Sequence, residues 1–216
     1  MQNKLLTDPF REILSDVADY YSSKLSEHGE SARGVDWNSE ESQTLRFEQL
    51  CKIINTSTPF SINDLGCGYG AFYDFLAQQY KSFSYSGIDV SEDMIRAAER
   101  RYHNRNQVCF VRSSKPEQVA DYNVASGIFN VRLTQSDDEW WSYFEATLEA
   151  LDRTSRIGFA FNCLTSYSDA HKMRDYLYYA NPCVVFDHCK RRYSRNVALL
   201  HDYGLYEFTI LVRKQA

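Results

Sequence analysis

Apolar positions along this chain switch repeatedly between a helical period and short runs or alternations, the signature of strands interleaved with helices. Thr7-Asp8-Pro9 predicts a helix start, a capping side chain followed by proline at the first helical position, and the helix is expected to reach about Ser22. Glu27 to Asn38 carries neither period and reads as an ordered loop. Asn38 or Ser39 then caps a helix with Glu40 and Glu41 in its first turn and an apolar face of Phe47, Leu50, Cys51 and Ile54. Phe60–Asp64, Ser84–Val90, Val108–Arg112, Val124–Asn130 and Ile157–Phe161 read as strands. Helices are expected between them, from Ala71 to Gln79, after the cap Ser91, and after the capping box Ser136-x-x-Glu139, through Trp140, Trp141, Phe144 and Leu148. Asn196–Asp202 and Tyr206–Arg213 alternate around Tyr203-Gly204, which predicts a closing hairpin. Before it, residues 162–193 hold two helical patterns, one with Met173, Tyr176 and Leu177, the other with Val185, His188 and Cys189, divided by Asn181-Pro182.

Composition narrows this picture without redirecting it. With 216 residues, 44% hydrophobic and 25% charged, the chain suits one soluble domain with a sizeable core. Sixteen tyrosines and thirteen phenylalanines supply more ring surface than such a core needs, and rings around a cation are one use for the excess, core packing the other. A net charge of −5 gives no reason to expect nucleic acid, and the one basic cluster, Lys190-Arg191-Arg192 with Arg195, reads as a solvated helix face. The six cysteines form no C-x-x-C pair and read as reduced thiols, no apolar run is long enough to span a bilayer, and Met1 to Phe10 lacks a signal-peptide core. The expectation is a cytoplasmic protein, monomer or homodimer, with no membrane partner and no metal.

The chemistry concentrates at Asp64-Leu-Gly66-Cys-Gly68-Tyr-Gly70, an acid at a strand end followed by three alternating glycines. Glycines there let backbone amides approach a ligand that any Cβ would obstruct. The dinucleotide fingerprint is spaced G-x-G-x-x-G, and an anion two places before the first glycine repels a pyrophosphate and attracts a cation such as the amine or sulfonium of S-adenosylmethionine (SAM). The next strand ends in Asp89, placed to accept both hydroxyls of a ribose. Asp64, Gly66, Gly68, Gly70 and Asp89 together resemble the D-x-G-x-G-x-G motif and second acid of the class I SAM-dependent methyltransferases. That resemblance implies an α/β, Rossmann-like seven-stranded sheet, mostly parallel with an antiparallel last strand. It implies a single domain over 1–216, with an N-terminal helical cap over 1–55, a core over 56–216 and a lid over 162–193 between strands five and six.

It also implies further site residues. Val90 follows the second acid at the cofactor, and Met94 and Ile95 flank an adenine; Ser113 stands at the adenine edge; Gly127 and Phe129, at the exit of the fourth strand, lie beside the transferable methyl. That exit lacks both the Asn/Asp-Pro-Pro-Tyr/Phe tetrapeptide of nucleobase amino-methyltransferases and the acids of metal-dependent catechol-type enzymes. Gly34 to Gln43 resembles a segment upstream of the glycine motif in bacterial methyltransferase-like proteins. Trp37, Gln43 and Arg46 are accordingly expected to close over the amino-acid end of SAM, Arg46 pairing with its carboxylate, unless Arg46 is held by a neighbouring glutamate. A hydroxyl acceptor needs a base, and His28 in the N-terminal loop or His201 beside the hairpin turn are the candidates, with Tyr20, Tyr21, Tyr167 and Tyr178 lining the acceptor site. The expected activity is methyl transfer to a small molecule, at oxygen and without metal; an RNA or protein methyltransferase and a non-catalytic SAM-binding protein are the alternatives.

Overall fold

The computed structural model describes residues 8–55 and 57–214. β1 (Phe60–Leu65), β2 (Phe83–Asp89), β3 (Val108–Arg112), β4 (Ala120–Ala125), β5 (Ser155–Leu164), β6 (Asn196–Leu200) and β7 (Glu207–Arg213) form one sheet in the order β3-β2-β1-β4-β5-β7-β6. β1 to β5 pair in parallel, and β7 runs antiparallel between β5 and β6. Parallel neighbours demand long crossovers, so α3 (Ala71–Gln79), α4 (Glu92–Tyr102) and α5 (Asp137–Arg153) sit where the periodicity places them. The chain's direction of travel across the sheet reverses between β1 and β4, and the crevice at their carboxyl ends is where such sheets hold ligands.

Alternation along β5 explains the two cores. Phe159 and Phe161 face one side with Trp140, Phe144 and Leu148 of α5, while Ala160 faces the other with Phe47 and Leu50 of α2 (Glu40–Cys51) and Phe72 and Leu76 of α3. Ser39 and Ser42 close a capping box at the start of α2, and Ser136 and Glu139 close another at the start of α5.

Two expectations need correction. The first helix, α1, spans Arg11–His28 rather than ending near Ser22: the serines stay helical, Ser22 sharing a hydrogen bond with Ser91 at 2.9 Å, and the stop comes at Gly29 with φ +65°. Its start is turned by Asp8, whose carboxylate accepts from the Phe10 amide; Thr7 lies outside the described residues. Between β5 and β6 one α-helix forms, α6 (Pro182–Arg192), where two helices were expected, and the first pattern gives only a short 3-10 turn at Ala170–Lys172. Residues around Met173 and Leu177 pair with the β4 exit instead, the Tyr176 carbonyl accepting from Arg132 and Leu133 and Leu177 bridging Val131, so tertiary pairing outweighs the local period. Asn181 caps α6, which packs Val185 and Cys189 against the core beside β6 and β7.

Candidate active site

The glycine turn follows β1 directly. Gly66, Gly68 and Gly70 hold φ of +77°, +55° and +88°, a region side chains rarely adopt, and the Gly66 and Cys67 amides both donate to the Ile88 carbonyl at the end of β2. The Gly68 amide donates to Asp89 Oδ2 at 2.9 Å and Ser91 donates its amide to Oδ1 at 2.9 Å. Each carboxylate oxygen keeps further lone pairs for a ligand. Burial raises the Asp89 carboxyl, and those amides pull it back. Asp64, 3% exposed, is pushed up to about 7 by burial; the Tyr85 hydroxyl, donating at 2.5 Å, opposes the shift, and Asp89 adds to it.

These acids open onto a cleft of about 890 Å³, its solvent-open mouth included. α1 presents Leu14, Val17 and Tyr21, three and four residues apart and so on one face, as one wall. Val35, Trp37, Gln43 and Phe47 form another, the strand exits add Val90, Ser113, Ser126, Gly127 and Ile128, and α4 adds Met94. Tyr143 of α5 reaches in as well. Among the described lining residues there is no lysine, arginine or histidine, so the two buried acids face a space without a counter-charge. Such a cleft favours a cation and disfavours a pyrophosphate.

Of the residues expected at the donor, Trp37, Gln43, Asp64, Gly66, Gly68, Asp89, Val90, Met94, Ser113 and Gly127 meet at this cleft. Gly70 lies behind it, its carbonyl accepting from Tyr102, and a Cβ there would stand 2.6 Å from that ring. Phe129 lies beneath the floor, fully buried with its ring 4.0 Å from Phe144. Arg46 is a correction. Arg46 is 5% exposed, its guanidinium is forked onto Glu207 at 2.6 and 2.9 Å with Nη1 donating to the Ser42 carbonyl, and it does not line the cleft, so its fork is committed within the protein rather than presented to a ligand carboxylate.

The proposed bases are also misplaced. His28 ends α1 beside Glu27, two turns past Tyr21, and does not line the cleft; the helix carries it away because it does not stop at Ser22. His201 is exposed, with its ring beside Tyr167 and Phe208. Of the four tyrosines, Tyr21 alone faces the cleft. Tyr20 donates to Asp36 at 2.7 Å and ties the loop to α1, Tyr167 is 67% exposed, and Tyr178 packs beside Trp140 and Phe144. Sequence reasoning missed Leu14, Val17, Val35, Ser126 and Tyr143 as cleft residues, and Asn162 and Glu207 behind them. The last two carried a signal, polar side chains at the ends of otherwise apolar strand runs.

Comparisons with known proteins agree with this geometry. Residues 62–154 match the methyltransferase domain family. A Mycobacterium tuberculosis (strain ATCC 25618 / H37Rv) protein named "Putative methyltransferase Rv1506c" is 62% identical over 163 residues, which are 76% of this chain and 98% of that one. The malonyl-[acyl-carrier protein] O-methyltransferase of Paenibacillus sp. (strain JDR-2) is 24% identical over 133 residues, 59% of this chain and 48% of its own. The structure of N-methyltransferase NodS from Bradyrhizobium japonicum with S-adenosyl-L-homocysteine superposes with a TM-score of 0.65 at 15% identity, covering 92% of this chain and 98% of that one. The chain belongs to the methyltransferases, and its sheet has the class I fold of the solved methyltransferases it superposes on.

Proposed function

We propose that the protein transfers the SAM methyl group to an oxygen of a small molecule, in line and without a metal. The observation that carries this reading is the lining of the cleft: two buried acids, no counter-charge, and apolar walls that α1 and Trp37 draw around it. In this reading Asp89 takes the ribose hydroxyls, Asp64 lies near the cationic end of the donor, Val90 and Met94 flank the adenine, and Ser113 meets its edge. The sulfonium is already activated, so the protein's task is alignment of acceptor and methyl at near-attack distance. Both acids are engaged, Asp64 by Tyr85 and Asp89 by two amides, which suits organic cation binding better than metal ligation.

The acceptor follows from the same residues. Burial raises the hydroxyls of Tyr21 and Tyr69 and the Cys67 thiol, and pushes Tyr143 up to about 12, so none of them is tuned to take a proton near neutral pH. An acceptor that arrives ionised, such as a carboxylate, needs no base. The relative named as an O-methyltransferase fits an oxygen target. A macromolecular acceptor finds less support: Arg191 and Arg192 pair with Asp187 and Glu149, and Lys190 donates to the Arg195 carbonyl. The reading places the protein in the cytoplasm, where its thiols stay reduced. Calorimetry with SAM followed by a transfer screen over carboxylic acids, phenols and amines is the test. Methyl esters or ethers as products support it; methylation of amines alone overturns the oxygen target.

A further inference from the structure

Behind the cleft, five residues close a ring of contacts. Arg46 Cζ stands 3.8 Å over the Trp37 ring, and its fork grips Glu207. Glu207 Oε2 also accepts from Asn162 Nδ2 at 2.6 Å, and Asn162 Oδ1 accepts from the Gly127 amide at 2.8 Å. The ring closes where Trp37 lies against Gly127, so tightly that a Cβ on that glycine would be 2.5 Å from the indole. Arg46, Glu207 and Asn162 are 5%, 1% and 0% exposed.

A buried ion pair is a weak source of stability, since the hydration both charges give up offsets most of their attraction. What this one does supply is position. One carboxylate holds, through Arg46, the indole that walls the cleft and, through Asn162, the amide at the β4 exit. We propose that Glu207 is a positioning residue for the methyl donor: it fixes Trp37 against Gly127 and so sets the wall of the cleft against which SAM is held. This rests on the placement of Trp37 at the donor site proposed above.

The test is a double-mutant cycle on SAM binding, read by calorimetry, with Glu207→Gln, Trp37→Phe and the two combined. Each single change is expected to weaken SAM about tenfold, and the pair about ten- to thirtyfold rather than a hundredfold, because coupled residues do not add. Misfolded protein would lower the binding stoichiometry and leave the affinity of the folded fraction untouched, which separates positioning from a merely structural role. If Glu207→Gln yields no folded protein, Arg46→Lys, which keeps the charge but not the planar fork, takes its place in the cycle. Independent losses that multiply to a hundredfold overturn the role of Glu207 alone. Unchanged affinity in Trp37→Phe overturns the donor-site placement and this inference with it.

Discussion

Asp64 and Asp89 carry the residue-scale consequences because both are buried beside a space that holds no counter-charge. Asp64 rises from its ordinary 3.8 to about 7, so between those values the folded protein holds a proton that the unfolded chain has released. Its contribution to stability therefore falls as pH rises across that window and levels off above it. A cation in the cleft favours the ionised form. SAM affinity is accordingly expected to increase from about pH 5.5 to about 7.5 with release of a proton, measurable by calorimetry in buffers of different ionisation enthalpy. Asp64→Asn should flatten that profile, and a profile unchanged by the substitution would show that another group titrates. Asp89→Ala should weaken SAM by about 1.5–3 kcal/mol, the worth of hydrogen bonds to a charged group. Equal affinity in that variant would remove Asp89 from the ribose.

Among the elements, the glycine turn and the segment that covers it act together. A Cβ on Gly68 would meet Val35 Cγ1 at 2.9 Å, at a φ of +55° that resists any side chain. Gly68→Val is thus expected to push away the short turn Arg33–Val35 as well as to strain the backbone by about 1–3 kcal/mol. SAM binding should become undetectable by calorimetry while far-UV circular dichroism stays native. Retained tight binding would reduce the turn to a plain connection. The turn, its flanking strands and the capped helices were legible because each is specified by neighbours within a few residues: glycines needing positive φ, serines placed to cap, alternation that changes period. Segments decided by distant partners were not. Met173 to Leu177 has a helical pattern but pairs with the β4 exit, and α1 passes through Ser22 because it packs beside α4. The base His28 fell with that helix, since a stop at Ser22 is what put it in a loop.

For the whole molecule, sheet order follows from the succession of strands and helices, but the wiring behind the site does not. Arg46 and Glu207 are 161 residues apart, and a local reading can offer Arg46 only a nearby glutamate or a ligand. The molecule's charge also needs its fold: in the basic cluster that stands out in the sequence, Arg191 and Arg192 meet neighbouring acids and Lys190 a carbonyl. A ligand that binds the folded state alone must stabilise all of it. SAM at a hundred times its dissociation constant contributes about 2.7 kcal/mol, which for a chain of this size raises the melting temperature by roughly 5–10 °C. Differential scanning fluorimetry should show that shift with SAM and lose most of it in Asp89→Ala at the same SAM concentration. Single-stranded RNA at low salt should produce none, because the net charge is −5 and Arg191 and Arg192 of the one basic cluster meet acids of the protein itself. A shift with RNA that collapses as salt is raised would transfer the acceptor from a small molecule to a nucleic acid, whereas a shift with SAM alone leaves the cleft as the seat of the chemistry.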